Sequence, residues 1–379
     1  MNKKRIVFLT GTRADFGKLK SLIRITQGND NYEVYIFATG MHMNALYGST
    51  VDEIKKAGFK NIYTYINHDK VEYMDRTLSK TIDGFSHYIA KIKPDLIIVH
   101  GDRVEAMAGA IVGSLNNILV AHVEGGEISG TIDELIRHSI SKLSHIHLVT
   151  NQEAKKRLIQ LGELESSIFT IGSPDLDLMD SKNLPTLNEA KKYYDVTFNN
   201  YAIAMFHPVT TEYKNIKKSI KEFVNAIIES NLNYILIYPN NDLGSIEIFE
   251  EFKRLENNKK IKIFPSLRFE YFLKLLKNAK FMIGNSSAGI REAPFYQVPT
   301  VNIGTRQNNR VNLNSVVNCS YSKIDIKNAI DTIINNKFNY KKYEFGNGNS
   351  DKLFFEILGN SNFWNINHQK RFQELKEYE

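Results

Sequence analysis

The 379-residue chain is too long for one ordinary hydrophobic core, so we expect two domains. Its composition is 42% hydrophobic and 24% charged, as in a soluble globular protein, and its net charge of +7 is scattered among acids, which argues against a nucleic-acid partner. The single cysteine, Cys319, excludes a disulfide within the chain and a thiolate metal cluster.

The first residues, Met1 to Arg5, are polar or charged apart from the initial methionine, and the apolar run that follows extends only from Ile6 to Leu9. This run is shorter than the apolar core of a signal peptide. No window of the sequence is apolar over the length that a bilayer demands. We therefore expect a cytoplasmic protein without a membrane partner.

Apolar runs of strand length alternate with helix-period segments through the first half of the chain. Strands rich in Ile, Val and Leu with helices between them predict a parallel sheet covered on both faces, with right-handed crossovers. The predicted strands are Arg5–Thr10, Glu33–Thr39, Asp95–His100, Ile118–Val123, His145–Thr150 and Ile168–Ile171. The predicted helices include Gly17–Gln27, Tyr73–Lys91, Arg103–Asn116 and Gln152–Leu161.

The alternation stops in a polar stretch near residues 172–185 and then resumes. We therefore predict a first domain over 1–175, a second over 176–360, and a C-terminal segment, 361–379, that joins the first domain. Phe363–Glu379 is predicted as one helix, and its aromatic residues indicate docking on the body of the protein rather than disorder. The second half has predicted strands at Tyr201–Phe206, Tyr234–Tyr238, Ile261–Phe264, Phe281–Gly284 and Pro299–Ile303. The fold class is α/β, with two similar halves facing each other across a cleft.

Ligands of such sheets bind outside the carboxyl ends of the strands. The first strand is followed by the stretch 11–18, in which Arg13 and Lys18 stand near the start of a helix and are placed to reach a phosphate. An ordinary turn with solvated charges explains this stretch equally well. It matches neither a Walker loop nor the dinucleotide fingerprint.

Four charged residues follow neighbouring strands of the first half. Asp102 follows one strand, Glu124 ends the next, and Asp133 and Arg137 lie four residues apart on the helix after it. Helix capping explains a single acid of this kind. Three acids that converge at adjacent strand ends favour a catalytic site for proton transfer on an anionic substrate.

The second half carries further polar residues where its strands end. His207 ends the first of these strands, and Asn240 and Asp242 follow the second. Ser286 and Ser287 stand at a helix cap, where hydroxyls and backbone N–H groups suit a diphosphate, and ordinary capping is compatible with that role. Glu292 lies further along the helix, where it is placed to accept from ribose hydroxyls. The last clear strand is followed by Arg306, which is a candidate for phosphate binding or cleft closure.

His145 and His147 alternate on one predicted strand. We interpret them as packing residues, since no cluster of partner ligands accompanies them, and we predict no metal site.

With these motifs in place, the chain resembles the UDP-N-acetylglucosamine 2-epimerase family, and within it the hydrolysing branch of bacterial sialic acid synthesis. The resemblance covers nearly the whole chain. The non-hydrolysing branch has proline and glutamate after GTR and alanine after HVE, where this chain has Ala14-Asp15 and Gly125-Gly126. Gly17 replaces a serine found in some relatives. The motifs are GTRADFGKLK at 11–20, TGMHM at 39–43, HGDRVEA at 100–106, HVEGGEISGTIDELIRHSISKLSHIHL at 122–148, IGSPDLD at 171–177, FHPVTTE at 206–212, YPNND at 238–242, GNSSAGIREAP at 284–294, GTRQ at 304–307 and WNINHQKRF at 364–372.

The resemblance implies two Rossmann-like domains in the glycosyltransferase-B arrangement, with the active site in the cleft between them. It implies a homodimer or homotetramer, a UDP-sugar substrate and no cofactor. The reaction that the resemblance implies is UDP-N-acetylglucosamine plus water giving N-acetylmannosamine and UDP, through elimination to 2-acetamidoglucal and hydration. Inversion at C2 needs acid/base groups on both faces of the ring.

The resemblance also implies a role for each motif residue. Asp102, Glu124 and Asp133 would perform the proton transfers in an order left open, with Arg137 orienting Asp133. His207 would assist the leaving diphosphate or the sugar, and His42 would contact the sugar. The residues implied for substrate binding are Arg13, Lys18, Arg103, Asn240, Asp242, Ser286, Ser287, Glu292 and Arg306.

Four alternatives remain open on the sequence. The same acids would serve a UDP-N,N′-diacetylbacillosamine 2-epimerase of legionaminic acid synthesis, whose substrate differs at C4 and C6. A non-hydrolysing epimerase is the second alternative. A glycosyltransferase of the same architecture needs an acceptor and no such acid trio. A nucleotide-sugar sensor would bind UDP and catalyse nothing.

Overall fold

A computed structural model describes residues 3–44, 50–67, 73–129, 131–179, 184–308, 313–340 and 345–374. Contacts divide the chain into two compact units. The first comprises Met1–Glu127, Asp133–Ser181 and Glu344–Glu379, and the second comprises Ile128–Ile132 and Lys182–Tyr343. The predicted second domain, 176–360, had instead included 176–181 and 344–360.

The first unit contains a seven-stranded parallel sheet in the order β3-β2-β1-β4-β5-β6-β7. Its central strands are buried on both faces, which explains their near-continuous apolar sequences. The strands are β1 (Lys4–Thr10), β2 (Tyr32–Ala38), β3 (Ile62–Thr64), β4 (Leu96–His100), β5 (Leu119–Val123), β6 (Ile146–Val149) and β7 (Ile168–Thr170).

Nine helices of the first unit surround this sheet in the described part of the chain. They are α1 (Arg13–Gln27), α2 (Val51–Lys56), α3 (Met74–Ile92), α4 (Val104–Leu115), α5 (Ile132–Leu143), α6 (Gln152–Gln160), α7 (Asp175–Met179), α14 (Ser350–Leu358) and α15 (Ser361–Trp364). α1 begins with a capping box, in which Thr12 and Asp15 each accept a backbone N–H of the other. The capping box fixes the turn that carries Arg13.

The second unit contains a six-stranded parallel sheet in the order β10-β9-β8-β11-β12-β13. The strands are β8 (Ala202–Met205), β9 (Tyr234–Ile237), β10 (Ile261–Phe264), β11 (Met282–Gly284), β12 (Thr300–Ile303) and β13 (Val316–Cys319). The helices are α8 (Leu187–Tyr193), α9 (Ile216–Ser230), α10 (Ser245–Phe252), α11 (Phe269–Lys277), α12 (Glu292–Phe295) and α13 (Lys323–Asn335). In each sheet the order of the strands reverses between the first and the fourth strand along the chain, β1 and β4 or β8 and β11, as in doubly wound folds. The predicted α/β class with two Rossmann-like domains is confirmed.

The single C-terminal helix predicted over 363–379 is wrong over its described part. A four-residue helix, α15, ends at Trp364, and residues 365–374 form neither helix nor strand. Two of the aromatic residues dock on the first unit, as expected. Trp364 stacks on Tyr32, and Phe363 is buried in the core of the first unit. Residues 375–379 of the predicted helix lie outside the described residues.

No helix in the described part of the chain has the length and apolar character that crossing a membrane requires.

Candidate functional site

Glu124 lies at the carboxyl edge of the first sheet. β4 and β5 are parallel and in register, with His100 opposite Val123, so the residues after both strands emerge together. Glu124 is 3% exposed and adopts a left-handed backbone with φ of 64°. A non-glycine residue in this region is strained, and strain of this kind clusters at functional sites.

Three side chains from three other segments contact the carboxylate of Glu124. His100 Nε2 lies 3.1 Å from Oε2, and Lys18 Nζ lies 3.4 Å from the same oxygen. The hydroxyl of Ser173 donates to Oε1 at 2.5 Å. His100 and Ser173 were within quoted motifs but had no predicted role. Their position at strand ends was the available signal.

Lys18 is buried between two carboxylates. Its ammonium lies 3.5 Å from Asp175 Oδ2 as well as 3.4 Å from Glu124, and Asp175 is fully buried. A lysine without solvent needs such partners to remain charged. The structure therefore places Lys18, which we predicted as a phosphate ligand, in the acid cluster.

Asp102 and Arg137 form a second ion pair at the same edge. Arg137 Nη2 donates to Asp102 Oδ2, and Nη1 donates to the Glu127 carbonyl at 3.4 Å. Burial opposes the charge of Arg137, but Asp102, Glu127 and Asp133 outweigh it and raise the pKa of the guanidinium. The helix spacing pointed to Asp133 alone, so Asp102 is a partner that we did not predict.

His122 holds the loop that carries Asp102. Its Nε2 donates to the Gly101 carbonyl at 2.7 Å, and its Nδ1 lies 2.9 Å from the Ser141 hydroxyl. Burial lowers the pKa of His122 to about 3, so the ring is neutral. His122 begins the motif at 122–148, yet sequence reasoning assigned it no role.

His42 is fully buried between two threonines. Its Nε2 lies 3.0 Å from the Thr10 hydroxyl and its Nδ1 lies 2.6 Å from the Thr50 hydroxyl. Burial, with a smaller contribution from the charge of Arg13, lowers the pKa of His42 to about 3. Both ring nitrogens are occupied by protein hydroxyls, which does not favour the predicted sugar contact.

The two remaining basic candidates of the first unit lie near acids. Arg13 donates to Glu53 through Nη2, and Arg103 Nε lies 3.8 Å from Glu105 Oε2. The Glu105 carboxylate is buried beneath Gly40, where a Cβ would approach its Oε1 to 2.6 Å. Each arginine is therefore held by a carboxylate at the edge where the acids lie.

Asn285 is the centre of the polar cluster in the second unit. Its side chain is fully buried and bonds the backbone of His207 twice, accepting from the N–H at 2.6 Å and donating to the carbonyl at 2.8 Å. Its own carbonyl accepts from Gln307 at 2.8 Å and Arg306 at 3.4 Å. Asn285 thus joins the loops after β8, β11 and β12, and we had not singled it out.

His207 is also tied to the loop after β9. Its Nδ1 accepts the backbone N–H of Asn240 at 3.0 Å, and the Asn240 side chain donates to Asp242. An Nδ1 that accepts a hydrogen bond is unprotonated, so in the neutral ring the proton resides on Nε2. The structure therefore brings three predicted residues together.

The loop that carries Ser286 and Ser287 begins at Gly284, whose backbone conformation is one that only glycine adopts readily. Gly284 has φ of +132°, and a Cβ there would lie 1.8 Å from the Met205 carbonyl oxygen, so only glycine fits. Ser286 caps a 3₁₀ turn over Ser287–Gly289, and its hydroxyl accepts from the Ala288 N–H at 3.3 Å. Glu292, expected further along one helix, instead begins the separate four-residue helix α12.

Glu212 connects the loops after β8 and β12. Its Oε1 accepts from the Thr305 hydroxyl at 2.5 Å, and its Oε2 accepts from the Tyr321 hydroxyl at 2.8 Å. These bonds fix the loop of His207 to the loop of Arg306. The second unit therefore presents a pre-organised set of hydroxyls, amides and one guanidinium, which suits an anionic ligand.

Metal binding has no candidate cluster in the described ranges, where no group of three His, Cys, Asp or Glu side chains could hold an ion. His147 is instead buried against Glu163, with Nε2 2.9 Å from Oε2.

Known proteins are similar to this chain in sequence and in fold. A family model described as UDP-N-acetylglucosamine 2-epimerase matches residues 24–359. A protein of Neisseria meningitidis named UDP-N-acetylglucosamine 2-epimerase is 48% identical, over 98% of this chain and 99% of that protein. A UDP-N,N′-diacetylbacillosamine 2-epimerase (hydrolyzing) of Legionella pneumophila is 34% identical, over 94% of this chain and 95% of that protein.

Solved structures agree on the fold. A Methanocaldococcus jannaschii UDP-GlcNAc 2-epimerase in complex with UDP-GlcNAc and UDP matches with a TM-score of 0.80 at 24% identity, covering 94% of this chain and 99% of that one. A Neisseria meningitidis UDP-GlcNAc 2-epimerase bound to UDP-GlcNAc matches with a TM-score of 0.78 at 16% identity, covering 93% of this chain and 99% of that one. Family model, full-length relatives and fold agree, and the chain belongs to the UDP-N-acetylglucosamine 2-epimerase family.

Proposed function

We propose that this chain is a hydrolysing UDP-N-acetylglucosamine 2-epimerase that supplies N-acetylmannosamine for sialic acid synthesis. The observation that carries the proposal is that two buried cations lie among the predicted acids: Lys18 contacts Glu124, and Arg137 pairs with Asp102 and interacts with the charge of Asp133. A sensor would need no such set of proton-transfer groups. The hydrolysing activity is further supported by the Legionella relative, whose name carries that word.

The reaction asks for acid/base groups on both faces of the sugar. One carboxylate takes the C2 proton while the C1–O bond breaks and UDP leaves with its electron pair, giving 2-acetamidoglucal. Water then adds its oxygen to C1, and C2 receives a proton on the face opposite to the first abstraction. Two acid/base groups at least are therefore required.

We assign the first abstraction to Glu124. Lys18 and Ser173 donate to its carboxylate, and His100 Nε2 lies 3.1 Å from it, so the carboxylate is held in one orientation at the sheet edge. Asp102 and Asp133, which share the charge of Arg137, would activate water and return the proton.

The second unit would hold UDP. Ser286 and Ser287 offer a capped turn to the diphosphate, Arg306 supplies a positive charge, and Glu292 would accept from the ribose. His207 would donate from Nε2 to the departing diphosphate, since its Nδ1 is occupied by the N–H of Asn240. The homodimer or homotetramer and the cytoplasmic location stay predictions.

A specific alternative is the bacillosamine nucleotide. The Legionella relative, named for that substrate, aligns over 94% of this chain. The acids would act identically, because the two sugars differ at C4 and C6 rather than at the reacting carbons.

The test is turnover in heavy water enriched in oxygen-18. The proposal expects free UDP together with N-acetylmannosamine that carries deuterium at C2 and oxygen-18 at C1. Oxygen-18 in UDP would mean P–O cleavage and exclude the elimination route, and epimerised sugar still attached to UDP would mean a non-hydrolysing enzyme. A parallel assay with the bacillosamine nucleotide compares kcat/KM and decides the substrate.

A further inference from the structure

The C-terminal strap, residues 365–374, crosses the amino-terminal edge of the first sheet, opposite to the acids. His368 lies there, with Nδ1 2.6 Å from the Asn117 carbonyl oxygen, ahead of β5. Its own carbonyl accepts from His145 Nε2 at 3.0 Å, just before β6. The strap thus joins loops that precede two central strands.

Lys370 anchors this strap to the end of α5. Its ammonium donates to the carbonyls of Ser144 at 2.6 Å, Lys142 at 2.8 Å and Ser141 at 3.2 Å. The last carbonyls of a helix lack intrahelical donors, and a positive charge is favourable at the negative end of the helix dipole. One side chain therefore caps the helix from a distant part of the sequence.

Glu163 completes the anchor from the other side. Its Oε2 accepts from Lys370 at 2.5 Å, and its Oε1 accepts from Lys142 at 2.9 Å. The Glu163 side chain is 1% exposed and that of Lys370 is 24% exposed. Fully exposed ion pairs contribute little, whereas the partly buried ammonium of Lys370 is held by a buried carboxylate and by three carbonyls.

The helix that Lys370 caps carries Asp133 in its first turn and Arg137 one turn later. A helix of 12 residues is about 18 Å long, and its hydrogen-bonded turns move together. Holding its C-terminal end therefore restricts the tilt and sliding of its acid-bearing end.

We propose that Lys370 is a positioning residue for the reaction, acting through the C-terminal end of α5 to hold Asp133 and Arg137 in place. The inference rests on the proposed function of these two residues. Asp133 and Arg137 act on protons, so a displaced α5 slows the chemical step while leaving nucleotide binding to the second unit.

The test compares Lys370→Met with Lys142→Met. Both variants remove an ammonium from Glu163, but only Lys370 donates to the carbonyls of Ser141, Lys142 and Ser144. Two quantities are measured: amide hydrogen exchange over 133–137, with α9 of the second unit as internal reference, and kcat per UDP-binding site titrated by calorimetry. Normalising to titrated sites removes any loss of folded protein from kcat.

For Lys370→Met we expect exchange over 133–137 to rise about tenfold without change in α9, and kcat per site to fall about tenfold with KM within twofold. Lys142→Met is expected to stay within twofold on every measure. The proposal is overturned if Lys370→Met leaves both quantities within twofold of wild type, or if Lys142→Met matches it. If the wild type releases no UDP from either nucleotide sugar, the proposed function is wrong. The hydrogen-exchange measurement still tests whether Lys370 holds α5.

Discussion

Lys18 Nζ lies 3.4 Å from Oε2 of Glu124, and both residues are buried. The ammonium of Lys18 neutralises the carboxylate of Glu124, whose backbone at the sheet edge is strained. This contact connects α1 to the residue that follows β5, so Lys18, which we predicted as a phosphate ligand, contacts the acids of the first sheet instead.

Replacing Lys18 by methionine keeps the length of the side chain and removes its charge. Glu124 and Asp175 are then left buried without their cation, so we expect kcat for UDP release to fall about 100-fold, within the range of lost acid/base groups. Lys20→Met, on the same helix, is the matched control. A kcat within threefold of wild type in Lys18→Met would contradict the assignment.

Because Arg137 pairs with Asp102, we expect its removal to slow the chemical step without weakening nucleotide binding. In Arg137→Met, Asp102 loses its ion-pair partner, so kcat should fall about 100-fold while the Kd of UDP stays within twofold. Arg254→Met removes an exposed ion pair with Glu251 and should change neither. Weaker UDP binding in Arg137→Met would place this arginine at the nucleotide instead.

For Asn285 we expect a substitution to weaken nucleotide binding. Asn285→Ala removes both side-chain bonds that hold His207, at about 1 kcal/mol or more each, so UDP should bind about tenfold more weakly or worse by calorimetry. Asn318→Ala, which breaks the partly buried amide pair between Asn302 and Asn318, is the control. Unchanged UDP affinity in Asn285→Ala would show that the loops after β8 and β11 do not bind the nucleotide.

Because His122 is buried in its neutral form, we expect it to lower the free energy of unfolding in acid. Its pKa is about 3 when folded against an ordinary value of 6.5, so its contribution to stability is complete above pH 6.5 and declines as the pH falls toward 3. In that window, His122→Gln should make the free energy of unfolding less steep by about 1.4 kcal/mol per pH unit, the effect of one proton.

Urea unfolding at a series of pH values measures this slope. His87→Gln, at a position whose side chain is 81% exposed, serves as the control for losing a histidine. Equal slopes for wild type and His122→Gln would mean that the buried ring does not couple folding to pH.

The apolar pattern located the long strands because buried parallel strands are continuously hydrophobic. β4 and β5, buried along their whole length, were predicted within one residue at each end. β3 and β13 were missed, since each has three or four residues and none of them is fully buried. These two edge strands lack a long apolar run, so they form by pairing with their neighbours.

The partners of the functional side chains, in contrast to the strands, were not predicted from the local pattern. The spacing of Asp133 and Arg137 pointed to a contact within one helix, yet Arg137 also reaches Asp102, 35 residues away. Asn285 and Lys370 make their decisive contacts with residues 78 and more than 200 positions away, respectively. No local pattern encodes such contacts.

The sequence by itself therefore determined the α/β class, the strand ends where polar motifs gather, and the family, because these depend on local periodicity and on motif order. Only the tertiary structure decided which cation serves which acid, that His42 and His122 are buried and neutral, and that the C-terminal strap caps α5. Those outcomes depend on burial and on distances between loops, which arise when the sheets form and bring remote strand ends to one edge.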